Sequence, residues 1–359
     1  MKKLVQSDAF KNFTSSCIAI LIGLVIGAIV IFISNSSEAL NGFNTLVLGP
    51  IQDGMTGIGR VIYYAVPIIM TGLSVGFAFK TGLFNIGTPG QFIVGAFAAV
   101  YIGVKWTFLP ESIHWVVALL GAFIAGGLWA VVPGVMKAYL NVNEVISSIM
   151  MNYIGIYFVN YSVTLTIFDS LRNQSLPVAE AANVPKMGLD VIFEGSQANG
   201  GFIIAILFVI LIYIILNKTT FGYEMKACGF NKDASKYAGI NEKRNIILSM
   251  VIAGALAGIG GGLLYLSGSG KFIEVVDVLP AEGFNGIPVA LLGLSNPIGV
   301  LFSGLFIAYL TVGGNSMQQF GFIPQIVDII ISCIIYCSAL SLMIKVWLSN
   351  RKTKKKEGE

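Results

Sequence analysis

The groups able to do chemistry in this 359-residue chain are few, and their spacing excludes most reactions. Within the hydrophobic runs the one carboxylate is Asp328. A charge there costs about 2.5–3.5 kcal/mol on insertion scales, so it must face a polar interior, bind a substrate or snorkel to the outer interface. Cys333 and Cys337 sit one helical turn apart, half of a possible metal site, but His114 is the sole histidine and is distant in sequence. The pair therefore reads as core packing, and the four cysteines (Cys17, Cys228, Cys333, Cys337) form no disulfide framework. Ser267-Gly268-Ser269-Gly270-Lys271 invites a phosphate-loop reading that fails. The motif requires glycine where Tyr265 stands and Ser or Thr where Phe272 stands. No other glycine-rich nucleotide motif exists, so any ATP and magnesium must be bound by a separate subunit, and this chain carries no cofactor of its own.

The elements that position these residues are membrane helices. Hydrophobic residues make up 55% of the chain and charged residues 11%, with a mean hydropathy of +0.82, whereas soluble domains carry about 25% charge. At about 20 apolar residues per span, the chain has room for eight to ten spans and no sizeable soluble domain, and its 42 glycines suit close helix packing in lipid. Residues 218–244, KTTFGYEMKACGFNKDASKYAGINEKR, form the one long basic stretch between hydrophobic runs. The excess of lysine and arginine assigns it to the cytoplasm, and this sets the sidedness of every other loop.

The resulting reading is a single all-α polytopic membrane domain, residues 1–359, with ten segments: 13–34, 61–79, 91–107, 113–136, 145–167, 201–216, 246–266, 283–294, 298–313 and 323–348. The first is an uncleaved span. Residues 35–59, 168–200 and 267–282 become outer loops, and both termini, including the basic tail 350–359, are cytoplasmic. Seventeen of the 22 Lys/Arg then lie inside and ten of the 18 acids outside. Residues 283–294 are too short to span in comfort, so that helix is tilted or broken, and the pieces around Asn85 and Asn285 are alternatively a pair of re-entrant half-helices. A loosely repeated pattern marks both halves: Phe84-Asn85-Ile86-Gly87-Thr88-Pro89-Gly90 and Phe284-Asn285-Gly286-Ile287-Pro288. Paired Gly/Pro interruptions point to a transport path, because broken helices turn backbone dipoles toward a cavity; two helix breaks with no ligand are the alternative. In the basic loop, Asn231 caps a short helix 232–238 that Gly239 stops. Ala234, Tyr237 and Ala238 share one face, suited to a groove in another protein or, in the plainer reading, part of a loop that serves topology alone.

Five stretches, LFNIGTPGQFIVGAFAAVYIG (83–103), NEVISSIMMNYI (143–154), GYEMKACGFNKDASKYAGI (222–240), GALAGIGGGLLYLSG (254–268) and GFNGIPVALLGLSNPIGVLFSGLF (283–306), resemble the permease subunits of bacterial ABC importers of the ribose and branched-chain amino-acid group. Within it, the chain is most similar to the nucleoside branch that works with a basic-membrane-protein-type lipoprotein. The resemblance implies a type II-like importer fold in the cell membrane, an ABC ATPase subunit, a second permease subunit, and an extracytoplasmic lipoprotein that delivers substrate. It also implies a coupling helix at 222–240, with Gly222, Glu224, Ala227, Gly229, Asn231, Ala234, Tyr237, Ala238 and Gly239 at the ATPase contact. Thr88-Pro89 departs from the family, whose members commonly carry an acidic residue there.

Nucleosides are planar, polar and uncharged, so a matching path offers amides, hydroxyls and aromatic faces. Phe84, Asn85, Gln91, Asn143, Asn152, Tyr153, Phe284 and Asn285 meet that description, with Asp328 as a further candidate. Each is individually also explained by helix packing. Three other readings remain. One is import of a simple sugar such as ribose or galactose by the same architecture. Another is ion-coupled secondary transport, for which Asp328 is the sole candidate carboxylate. A membrane-embedded enzyme is discouraged by the missing acid–base clusters. Nothing suggests a nucleic-acid partner; the surrounding partner is lipid.

Overall fold

The computed structural model describes residues 8–339, and its helices divide into two compact units, residues 53–308 and residues 8–52 with 309–339. Ten sequence segments fall on helices, and the chain is an all-α polytopic membrane protein. Among the described residues, five helices are long and apolar enough to cross a membrane. The end of the last segment, 340–348, and the tail 350–359 lie outside the described residues.

In the smaller unit, α1 (Asp8–Ser34) packs against α15 (Pro324–Ala339) through Gly23 and Gly27, which face Ile334 and Ile330. Helix α2 (Ala39–Gln52) sets Gly42 against the Phe322 ring, and its Val47 carbonyl accepts a hydrogen bond from the Tyr309 hydroxyl. The sequence reading placed an outer loop at 35–59. The structure replaces most of it with α2 and with the first turns of α3 (Gly54–Lys80). Asn41, Asn44 and two glycines dilute the apolar pattern of this 14-residue helix, while Leu46 and Thr45 are buried on one side of it.

The larger unit is built around α3, most of which is buried, and α11 (Glu242–Tyr265). Lipid supplies no hydrophobic drive between helices, so association depends on close packing and interhelical hydrogen bonds. The sequence GALAGIGGG gives α11 the necessary small face. Gly258 meets Gly95 of α4 (Thr88–Lys105) and Gly126 of α5 (Glu111–Leu140), and Gly261 meets the Phe92 carbonyl. Helices α6 (Glu144–Thr166) and α8 (Gly201–Lys218) flank this core. In the loop between α6 and α8, β1 (Phe168–Asp169) and β2 (Gln174–Ser175) form a small hairpin. The Ser175 amide donates to the Ile273 carbonyl at 2.8 Å, tying this loop to the one after α11. A four-residue helix, α7 (Leu189–Ile192), completes the loop between α6 and α8.

The segment 283–294 is broken, one of the two alternatives its length left open. It forms α12 (Ala281–Phe284) and α13 (Gly286–Leu292) with Asn285 between them. These twelve residues rise about 18 Å at most, short of the roughly 30 Å hydrocarbon core. Helix α14 (Pro297–Ser316) follows, and its Ser303 hydroxyl donates to the Val289 carbonyl at 2.8 Å. The basic loop holds two helices where one was expected: α9 (Thr220–Phe230), capped by Thr219 through the Gly222 amide at 3.0 Å, and α10 (Lys232–Tyr237), capped by Asn231 through the Ala234 amide at 2.9 Å. Gly239, at φ +80°, ends α10 where expected.

Candidate functional site

A helix that begins inside the membrane exposes amide donors with no water to satisfy them. Helix α4 begins buried among other helices, after the turn formed by residues 81–87, and polar side chains meet the same need. Pro89 stands in its first turn, where a missing N–H costs nothing. The Gly90 amide donates to Asn152 Oδ1 at 2.9 Å, and Asn152 Nδ2 reaches back to the Ile86 carbonyl at 3.0 Å. Asn85, fully buried, organises the turn. Its Nδ2 donates to Gln91 Oε1 at 2.8 Å and Ser74 Oγ at 3.2 Å, while its Oδ1 accepts from Gln91 Nε2 at 3.1 Å and the Gly87 amide at 3.2 Å. Thr88 Oγ1 donates to the Asn85 carbonyl at 3.0 Å. Upstream, Thr71 Oγ1 donates to the Pro67 carbonyl at 2.9 Å, within α3.

The two interrupted stretches that resemble each other in sequence meet in space. Gly283 of α12 rests directly on Pro89, and Gly286 of α13 on the Thr71 carbonyl, contacts that leave no room for a side chain. Asn285 is half-buried beside this junction, and Phe284 is 38% exposed. Phe84 is half-buried and stacks on Phe79, with ring centroids 5.1 Å apart. The structure thus gathers Asn85, Gln91 and Asn152 into one hydrogen-bonded group and places Phe284 and Asn285 next to it. Three candidates are not part of this group. Asn143 is the exposed cap of α6, accepting from the Val145 amide at 2.9 Å; Tyr153 is half exposed on α6; Asp328 is exposed on α15 in the other unit.

The gathered group is neutral throughout, and the described residues hold no cluster of three or more metal-ligating side chains. It presents amides, hydroxyls and aromatic rings, a chemistry of hydrogen bonding and stacking with no acid, base or nucleophile poised to react. Sequence reasoning did not count its hydroxyl members, Ser74, Thr88 and Ser148, among the path residues. The first two had a usable signal as polar residues near an apolar helix end. Ser148 is buried beside Gly87 with its hydroxyl unpartnered.

The basic loop forms the second candidate surface. Gly222 folds α9 back against the Ile215 carbonyl of α8, a contact only glycine permits. Met225 is buried beneath α9, and Glu224 and Ala227 are half-buried. Asn245 Nδ2 donates to Cys228 Sγ at 3.6 Å, fastening the same helix to α11. Outward, Ala234, Tyr237 and Ala238 are all exposed, Tyr237 to 95%. Phe230, 89% exposed, and Tyr223 add aromatic surface that the sequence reading did not single out.

Known proteins show the same pattern over nearly the whole chain. The guanosine ABC transporter permease protein NupP of Bacillus subtilis (strain 168) is 38% identical over 338 residues, covering 94% of this chain and 96% of its own. The nucleoside ABC transporter permease protein NupB of Lactococcus lactis subsp. cremoris (strain MG1363) is 34% identical over 353 residues, covering 95% and 96%. The glucose ABC transporter permease protein TsgB13 of Haloferax volcanii is 29% identical over 335 residues, covering 91% and 87%. No solved structure matches the chain. A family model described as the branched-chain amino acid transport system / permease component matches residues 57–339, and the chain belongs to that family.

Proposed function

We propose that this chain is the permease subunit of an ATP-driven importer that carries nucleosides across the cell membrane. It is a transport component and not an enzyme. The observation that carries the reading is the meeting of two broken helices at Pro89 and Gly283, beside the buried and uncharged Asn85–Gln91–Asn152 group. Transport sites form where discontinuous helices converge near the membrane midplane. The similarity to guanosine and nucleoside permeases, higher than to the glucose permease, favours nucleosides over sugars. Phe84, Phe284 and Asn285 supply partly exposed faces for a base, and the whole chain acts as one permease domain. A second permease subunit completes the path, a lipoprotein delivers substrate from outside, and an ABC ATPase binds ATP and magnesium beneath the segment 218–244.

Deleting this subunit is expected to abolish uptake of radiolabelled guanosine, and restoring the chain to recover it. Unchanged guanosine uptake with lost glucose or ribose uptake would transfer the assignment to sugars.

The orientation has its own test. A cysteine replacing Tyr237, in a background without the native cysteines, is expected to react with an impermeant reagent only after the cells are opened, because the basic loop lies inside. Labelling in intact cells would invert the topology.

Docking is tested by Ala234→Glu. The exposed small face of Ala234 and Ala238 can enter a groove only while its side chains stay small, and overfilling such a contact costs about 1–3 kcal/mol. At 1.4 kcal/mol per decade, ATPase affinity is expected to fall roughly 10- to 100-fold while the helices remain folded. Full co-elution with the ATPase would show that this face docks nothing.

A further inference from the structure

The turn that holds Asn85 and the helix pair that faces the cytoplasm meet at one point, where no side chain separates them. Gly82 adopts φ +77° at the end of α3, and Gly229 lies in the last turn of α9. A Cβ placed on Gly82 falls 2.5 Å from the Gly229 Cα, and one placed on Gly229 falls 2.6 Å from the Thr81 carbonyl carbon and 2.7 Å from the Gly82 nitrogen. Backbone therefore touches backbone. Both partners are fastened behind the contact: Thr81 Oγ1 bonds with Ser249 Oγ of α11, the Leu83 amide donates to the Ala78 carbonyl at 2.9 Å, and Cys228 accepts from Asn245. Three residues beyond Gly82, Asn85 begins the amide group.

A contact between long side chains can absorb a displacement by changing rotamers; a contact between two main chains cannot. We infer that Gly82 and Gly229 are the positioning pair that passes motion of the α9–α10 helix pair to the broken segment of the path. This inference rests on the proposed function and deepens it, since it locates the link between ATP hydrolysis and transport at one pair of glycines. Movement of α9 displaces the turn 81–87, and with it the side chain of Asn85 and the start of α4. Both glycines keep an exposed side, so a methyl group here can be accommodated by moving α9 outward rather than by disrupting the core.

Gly229→Ala isolates the contact. Position 229 is helical with an ordinary φ, and alanine is the better helix former, so α9 itself is strengthened while one methyl enters the junction. The same change at Gly82 would be confounded by its left-handed backbone. In proteoliposomes containing the complete transporter, Gly229→Ala is expected to lower the number of guanosine molecules carried per ATP hydrolysed at least tenfold, with the ATPase still bound. A merely structural glycine would leave that ratio alone, and an unchanged ratio overturns the inference. Hydrogen exchange on the wild-type complex decides independently of how the variant folds. Trapping the ATPase with nucleotide and vanadate is expected to change protection of the amides in 81–87 at least threefold; no change there overturns the inference as well. A wild-type complex that carries no nucleoside would instead defeat the proposed function, so the two failures are distinguishable.

Discussion

Replacing Gly258 with valine is expected to destabilise the helix core so far that little folded protein accumulates in the membrane. Gly258 lies where α11 passes between α4 and α5. A Cβ on it meets the Ala122 carbonyl oxygen and lies 3.0 Å from the Gly126 Cα, while a Cβ on Gly95 of α4 meets the Gly258 Cα. The neighbours are main chain, which has no rotamer to yield. Overpacking one such contact costs about 1–3 kcal/mol, occasionally more, and valine puts three carbons where a single Cβ already meets the α5 main chain. The expected loss is therefore about 3 kcal/mol or more, a large share of a stability of roughly 5–15 kcal/mol. Thermal unfolding of the purified protein in detergent measures it. Leu128→Val, on the exposed face of α5, is the control and is expected to be nearly neutral. Equal melting temperatures for Gly258→Val and the wild type would contradict the packing described for α11.

The second large effect is expected at Asn85. Leucine there has nearly the same size but makes none of the four hydrogen bonds of the asparagine side chain. The Gly87 amide and both ends of the Gln91 amide are left buried without those partners. Each unsatisfied group costs about 1–3 kcal/mol, so Asn85→Leu is expected to lose on the order of 3 kcal/mol and to reduce guanosine uptake more than tenfold. Removing both members of a pair is milder than removing one. The double variant Asn85→Leu/Gln91→Leu is accordingly expected to melt higher than Asn85→Leu alone, although its transport stays low. If the single variant kept full stability, the amide group would not be what holds the start of α4.

The helices of this protein were legible because apolar runs of about 20 residues have few other meanings. Where polar residues dilute the pattern, legibility fails. Helix α2 carries Asn41, Asn44 and two glycines, and α9 mixes Gly222, Glu224 and Lys226 with aromatics, so neither announces itself by hydropathy. Caps fared better, because the Asn231 side chain bonds an amide three residues on and Gly239 acts through its own backbone, so neither needs a distant partner. The polar members Asn85, Gln91 and Asn152 stood out in sequence, but the bonds of Asn152 depend on how α6 lies against α4, which local sequence does not encode. The likeness of the FNIGTPG and FNGIP stretches was visible too. That Gly283 sits on Pro89 follows only from the packing of α12 and α13 against α3 and α4. Hydroxyls such as Ser148 carried no signal, since a serine in a membrane helix commonly bonds its own backbone.

The central claim is ATP-driven passage of nucleosides through this subunit, and reconstitution tests it most directly. The chain is purified with its second permease and ATPase, placed in proteoliposomes loaded with ATP and magnesium, and supplied with the binding protein and labelled guanosine outside. The account predicts guanosine accumulation that requires ATP hydrolysis, is competed by other nucleosides and is indifferent to glucose. Accumulation of glucose with no guanosine taken up, or guanosine uptake driven by an ion gradient with the ATPase absent, would contradict it.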